Sequence, residues 1–422
     1  MNPGTFRAFR SYNYRLFFSG QSLSLIGTWM QRTAVYWVIY IQTHSSFMLG
    51  LAVFAAQFPS FLFSLLGGVV SDRYNRYRVL LITQIASMLQ ATLLTLLVMF
   101  NHYEVWHILT LSVVLGIINA FDVPARQSMI YEMVDNKEDL PNAIALNSSM
   151  VNLARLIGPA LSGIVLESLG AGTCFLINAL SFVAVIISLL FMRLPTYVAP
   201  SRVKKAFAEL KEGFTYLKAT PSIGFVILFL ACVSLTVLPF ITLLPVYAGV
   251  IFKGNASTFG YLNSFIGLGA VGGTFFLASL KPESNLKKIL FVNTLVFGLG
   301  LILFSHCSYF PLALLFATMA GFGMMSQTTI SNTIIQTTVS GEMRGRVISY
   351  FAMAFFGMQP LGGLIIGSFS HYAGAPNTLL IEGATAILLA LLFFPFFKNG
   401  TFKRKNKLKP IELADPSIES IT

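Results

Sequence analysis

Apolar residues run through this sequence in blocks of twenty or more, separated by short polar stretches. The blocks fall near 14–40, 46–70, 79–100, 107–131, 141–167 and 171–193, and then near 221–251, 257–280, 287–305, 309–337, 345–370 and 375–397. A helix needs ~20 mostly apolar residues to cross the hydrocarbon core of a bilayer. The pattern therefore predicts an all-α membrane protein of twelve spans. The polar stretch at 195–220 splits the spans into two sets of six, giving a six-helix bundle over 1–194 and another over 221–397. Within the divide, the string AFAELKEGFTYLK has helical spacing and one charged face, which predicts a helix lying on the membrane surface. A basic, then acidic, tail occupies 398–422.

Charge decides the orientation. Arg7, Arg10 and Arg15 precede span 1, and Arg73, Arg76 and Arg78 follow span 2. Lys137 follows span 4, and Arg193, Arg202, Lys204, Lys205, Lys211 and Lys218 follow span 6. Lys281, Lys287 and Lys288 follow span 8, Arg344 and Arg346 follow span 10, and Lys398 to Lys409 follow span 12. The alternate loops carry only Lys253. Because lysine and arginine are retained on the cytoplasmic side, this alternation predicts that both termini are cytoplasmic and that the number of spans is even. No cleavable leader is expected, since the apolar stretch after Arg15 is long and lacks a small-residue cleavage site.

Composition agrees with lipid as the solvent. The chain is 55% hydrophobic and 10% charged, whereas soluble domains carry ~25% charged residues. The net charge of +12 sits in the loops, so it reads as a topogenic signal and not as a nucleic-acid surface. Cys174, Cys232 and Cys307 are scattered, and neither a metal site nor a disulfide is expected. The sequence has no phosphate-binding loop, dinucleotide fingerprint, HExxH or GxSxG string. That speaks against an enzyme or an ATP-driven pump, and no cofactor is implied.

The two sets of six resemble each other. Gly116 to Val134 matches Gly321 to Val339 in spacing, and the run at 158–163 is answered by Gln359-Pro360-Leu361-Gly362-Gly363. Such repeats place a substrate site between the halves near the midplane.

Gly68-Val-Val-Ser-Asp72-Arg73-Tyr-Asn-Arg76, in the loop after span 2, resembles the G-x-L-A-D-R-x-G-R-R loop of the major facilitator superfamily. Asn75 replaces the usual glycine and Tyr77 a basic residue; asparagine tolerates left-handed geometry, which would keep the turn. In the second half the equivalent Lys281-Pro-Glu-Ser has lost the motif. Three further strings are similar to the branch that contains enterobactin-type siderophore exporters and macrolide exporters. They are Gly27 to Arg32, Asn119 to Gln127, and Asn142 to Asn147 continued by Asn152 to Gly163. The resemblance covers nearly the whole chain. It implies a conformational latch at Gly68, Asp72, Arg73, Arg76 and Arg126, and an antiport-associated motif at Gly158, Pro159 and Gly163. Physically, Pro159 removes a backbone donor and is expected to kink the helix, and the glycines allow close helix approach, so packing alone is the other reading.

Ionisable residues inside a bilayer cost at least ~2.5 kcal/mol at its centre, so each is a functional candidate. They are Arg32, Asp122, Arg126, Arg155 and Glu382. Asp122 is the first candidate for proton coupling and Glu382 the second. The competing reading is a permanent structural bridge, either from Asp122 to Arg126, four residues on and on the same face, or from Asp72 to Arg126. Gln31, Arg32, Tyr36, Arg155, Met325 and Gln327 are the candidate pocket residues, the arginines either to hold anionic substrate groups or to counter-charge the acid.

The reading expected from all this is a monomeric, multi-pass transporter of a bacterial inner membrane. It exports a small amphipathic compound, drug-like or siderophore-like, in exchange for protons, with sodium an open alternative. Lysophospholipid flipping or uptake symport is the rival in transport mode, and a non-transporting sensor or scaffold the rival in class.

Overall fold

Inside a bilayer there is no water to bond the backbone, so each apolar block must satisfy its own peptide groups, and each forms a helix. A computed structural model of the chain describes residues 6–193, 206–281 and 283–399. The first six long helices are α1 (Tyr12–Thr43), α2 (Ser46–Arg73), α3 (Arg76–Met99), α4 (Val105–Met133), α5 (Leu140–Leu169) and α6 (Ala171–Leu190). A shorter α7 (Ala206–Ala219) follows. The second set is α8 (Pro221–Ile251), α9 (Ala256–Ala278), α10 (Leu286–Ser305), α11 (Phe310–Thr338), α12 (Gly341–Ala373) and α13 (Ala375–Asn399).

Among the described residues, eleven helices are long and apolar enough to cross a membrane, α2 to α6 and α8 to α13. The expectation of twelve meets its exception in α1. That helix has the length, 32 residues, but Arg15, Gln21, Gln31 and Arg32 dilute its apolar character. Two of the spans are irregular for a local reason. Pro239 and Pro245 cannot donate to the helix ladder, and α8 tightens to a 3₁₀ turn over Leu238–Leu243 and relaxes to a π turn over Tyr247–Ile251. In α12 a π turn over Met353–Gly357 precedes Pro360.

The two sets of six pack by one scheme. In the first, α2 packs on α4, α3 on α4 and α6, and α1 on α5 and α6. The same pairs recur six spans later: α9 on α11, α10 on α11 and α13, and α8 on α12 and α13. Contacts between the sets are dominated by two symmetric pairs, α5 with α9 and α2 with α12. The segment between the sets is represented by α7, whose Glu212 pairs with Arg346 of α12 at 2.7 Å. The rest of the expected loop, 195–205, and the tail from 400 onward lie outside the described residues.

Candidate functional site

For description, the end of the bundle that carries Arg73, Arg76, Lys137, Lys218 and Arg344 is the basic end. From mid-depth to the opposite end the two sets are locked together. Ser264 of α9 donates to the Leu156 carbonyl at 2.9 Å, Trp37 stacks on Phe259 at 5.9 Å, and Ser370 meets Ser46 at 3.3 Å. Glu167, at the end of α5, accepts from Asn255 Nδ2 at 2.5 Å and from the Ser257 hydroxyl at the start of α9.

Toward the basic end no such contact recurs among the described residues. The α5 face that meets α9 at Gly163 and Leu156 continues, at helical spacing, as Leu153, Ser149 and Ala145, all exposed. On α2 the face that meets α12 at Gly50 and Phe61 continues as exposed Leu65, and a Cβ added at Gly68 would meet nothing within 4 Å. A cleft therefore opens between the sets at the basic end and closes beyond mid-depth.

Near its closed end sit two arginines. Arg155 stands midway along α5, ~22 Å from the basic end of that helix at 1.5 Å per residue. Its guanidinium carbon lies 5.3 Å from the centre of the Trp29 ring, and that of Arg32 lies 5.2 Å from the same ring. Arg32 Nε also donates to the Tyr36 hydroxyl at 3.2 Å. Arg155 Nη1 reaches only the Met325 sulfur, at 4.0 Å, and its Nε is buried without an acceptor among the described residues. Gly158 allows this arrangement, since a Cβ there would strike the Trp29 Cβ at 2.5 Å. Trp29, Arg32, Arg155 and Met325 all stay partly exposed at this depth.

Two of the expected pocket residues lie elsewhere. Gln31 is buried, donates to Gln90 at 3.1 Å and accepts from Asn178 at 2.8 Å, tying α1 to α3 and α6. Gln327 is fully buried. It lies two residues beyond Met325 and so on roughly the opposite side of α11. Neighbours in sequence thus divide between cleft and core.

The acids divide as well. Asp122 is buried between α3 and α4, where it accepts from Thr83 at 3.0 Å and Gln84 at 2.7 Å and pairs with Arg126 at 3.3 Å. Four groups from two helices make this a structural knot, which favours the bridge over the coupling role. Asp122→Asn is expected to lower the stability of the purified protein by about 1–3 kcal/mol, the range for a disrupted buried hydrogen-bonded group; a thermal-shift measurement checks it. Glu382 of α13 differs: it is 1% exposed, and neither carboxyl oxygen has a hydrogen-bond partner among the described residues.

At the basic end Arg76 pairs with Glu132 of α4 at 2.8 Å and donates to the Ser71 carbonyl at 3.4 Å. Arg126 is engaged by Asp122, while Asp72 and Arg73 are exposed. The expected left-handed turn at Asn75 does not form. With φ −60° and ψ 112°, Asn75 is extended and caps α3 by accepting from the Arg78 amide. Pro159 leaves α5 continuous, and Gly163 packs against the first turn of α9. Sequence reasoning missed Glu167. Its signal was an acid at the far end of span 5, beside loops almost free of cations.

The profile of a family described as transmembrane secretion effectors matches residues 3–420. The staphyloferrin A transporter of Staphylococcus aureus is 26% identical over 398 residues, covering 94% of this chain and 97% of that protein. The enterobactin exporter EntS of Salmonella typhimurium is 25% identical over 408 residues, covering 96% of each. The multidrug efflux pump Tap of Mycolicibacterium fortuitum is 22% identical, covering 84% and 88%. Among solved structures, a bacterial homologue of the human lysosomal transporter Spinster, inward-facing and unoccupied, superposes with a TM-score of 0.74 at 16% identity, covering 93% and 98%.

Proposed function

The chain belongs to the transmembrane secretion effector family of major facilitator transporters, and from that premise we propose that it exports a small amphipathic organic compound by proton antiport. The family is one of transporters, not enzymes, and the relatives move siderophores and drugs. The observation that carries the reading is the cleft itself: open at the basic end, closed beyond mid-depth, and lined near its closed end by Trp29, Arg32 and Arg155.

In this reading the basic end faces the bacterial cytoplasm, α1 is the twelfth span, and both termini are cytoplasmic. The cleft then receives substrate from inside. Export requires the contacts at Glu167, Ser264 and Gly163 to part while the basic end closes. The Gly68–Arg76 loop is the surface that would meet the other six-helix set in that second state. The bundles 1–194 and 221–397 move as the two rocking units, joined through 195–220, and a single chain contains the whole pathway. Protons moving inward drive substrate outward, and Glu382 is the group that carries them. An ionised carboxylate so enclosed is costly unless paired, so it exchanges its proton only when a conformational change admits water.

Everted vesicles with an imposed pH gradient test this. Adding members of a panel of siderophores and macrolides is expected to elicit proton movement with at least one of them. A panel-wide absence of substrate-dependent proton movement, with the protein present and folded, sinks the antiport reading.

A further inference from the structure

The cleft holds two positive charges that nothing among the described residues balances. Arg32 and Arg155 contact the same indole ring, so their like charges are close enough to repel. No carboxylate pairs with either among the described residues. The acids that could have served are committed or remote. Asp122 belongs to Arg126, Glu132 to Arg76, and Glu167 to the start of α9. Glu382 is sealed within the second set.

The local partners are weak substitutes. A ring face attracts a guanidinium, a phenol oxygen takes one hydrogen bond, and a thioether is a poor acceptor. Arg155 Nε has no acceptor among the described residues. A guanidinium presents its donors as a planar fork that matches a carboxylate in two parallel bonds. Two such forks flanking one indole, with Met325 alongside, form a donor-only surface with an apolar floor. From these groups we infer that Arg32 and Arg155 form an oxyanion site, and that the transported compound is an amphipath bearing at least two carboxylates, seated over Trp29. This deepens the export reading and rests on it, since it names the chemistry of what is exported.

An oxyanion could also be a phospholipid headgroup, and the test separates the two. The sequence has three tryptophans, so Trp37→Phe with Trp106→Phe leaves Trp29 as the only indole reporter. Benzene-1,3,5-tricarboxylate, its neutral triamide and lysophosphatidylglycerol are titrated into the detergent-purified protein. The tricarboxylate is expected to change Trp29 fluorescence saturably, with binding that weakens as salt rises. Arg32→Gln and Arg155→Gln are each expected to weaken it about tenfold or more, the range for a hydrogen bond to a charged group. Arg32→Lys and Arg155→Lys, which keep the charge, should retain part of the affinity, and unchanged melting temperatures exclude misfolding.

Equal binding of the triamide overturns the proposal. So does saturation by lysophosphatidylglycerol without the tricarboxylate, which would make the site a headgroup site. The two readings fail separately. Tricarboxylate binding without substrate-dependent proton movement leaves the site standing and removes antiport. Export of neutral compounds only, with no tricarboxylate binding, does the reverse.

Discussion

Vesicles carrying Glu382→Gln are expected to lose substrate-dependent proton movement, by about tenfold or more, while the purified variant still binds ligand over Trp29. The reason is the isolation of this carboxyl. Glu382 lies two turns into α13, ~10 Å from the end opposite the basic one. There α13 is pressed on α10, where Gly383 faces Gly298 with no room for a Cβ on either. Both of its oxygens lack partners among the described residues. Glutamine keeps the size but removes the exchangeable proton, so a cycle that depends on protonation stops. Ligand binding survives, because Arg32 and Arg155 belong to α1 and α5 and share no contact with Glu382. Normal proton movement by Glu382→Gln would mark the residue as structural and reopen the search for the coupling group.

A leucine at Gly163 is expected to be as damaging by a different route. The helices α5 and α9 approach closely here: a Cβ on Gly163 would lie 2.9 Å from the Ala256 carbonyl oxygen and 3.0 Å from the Ser257 Cα. These are backbone atoms and cannot swing aside. Overpacking of this kind costs about 1–3 kcal/mol. Because the strain exists only while the two sets touch, it acts on the balance between closed and open ends, which 1–3 kcal/mol shifts roughly 5- to 150-fold. It also parts Glu167 from Asn255 and Ser257, one turn away. Each six-helix set should fold normally. The expected readout is faster labelling of Ser264→Cys, in a cysteine-free background, by a membrane-impermeant thiol reagent from outside, together with loss of export. Gly163→Ala should show both effects more weakly. Unchanged labelling in Gly163→Leu would mean that this contact does not set the closed state.

The membrane class, the positions of the spans and the internal repeat were legible in the sequence. The match of Gly116–Val134 to Gly321–Val339 corresponds in space to α4 on α2 and α11 on α9. The major facilitator resemblance anticipated the family. The polar residues of the cleft were only half legible. Gln31 and Arg32 are adjacent, yet one knits α1 to α3 and α6 while the other faces the cleft. Met325 and Gln327 part in the same way. Asp122 and Glu382 looked alike as buried acids and differ only in their neighbours.

The division has a physical cause. Lipid acts on each residue locally: every apolar block must be helical, every charge within it is costly, and lysine and arginine stay on one side. Those rules need no knowledge of distant chain, so the sequence alone determined the class of protein, the course of its apolar blocks and the short set of charges that lie within them. Which charge is neutralised, which amide meets another amide, and which face opens on the cleft depend on the rotation of each helix about its axis and on partners that lie on other helices, 147 residues away for Gln31 and Asn178. Only the tertiary structure could decide them. It enclosed Asp122 in three partners, left Glu382 with none among the described residues, and brought Arg32 and Arg155 to one indole ring.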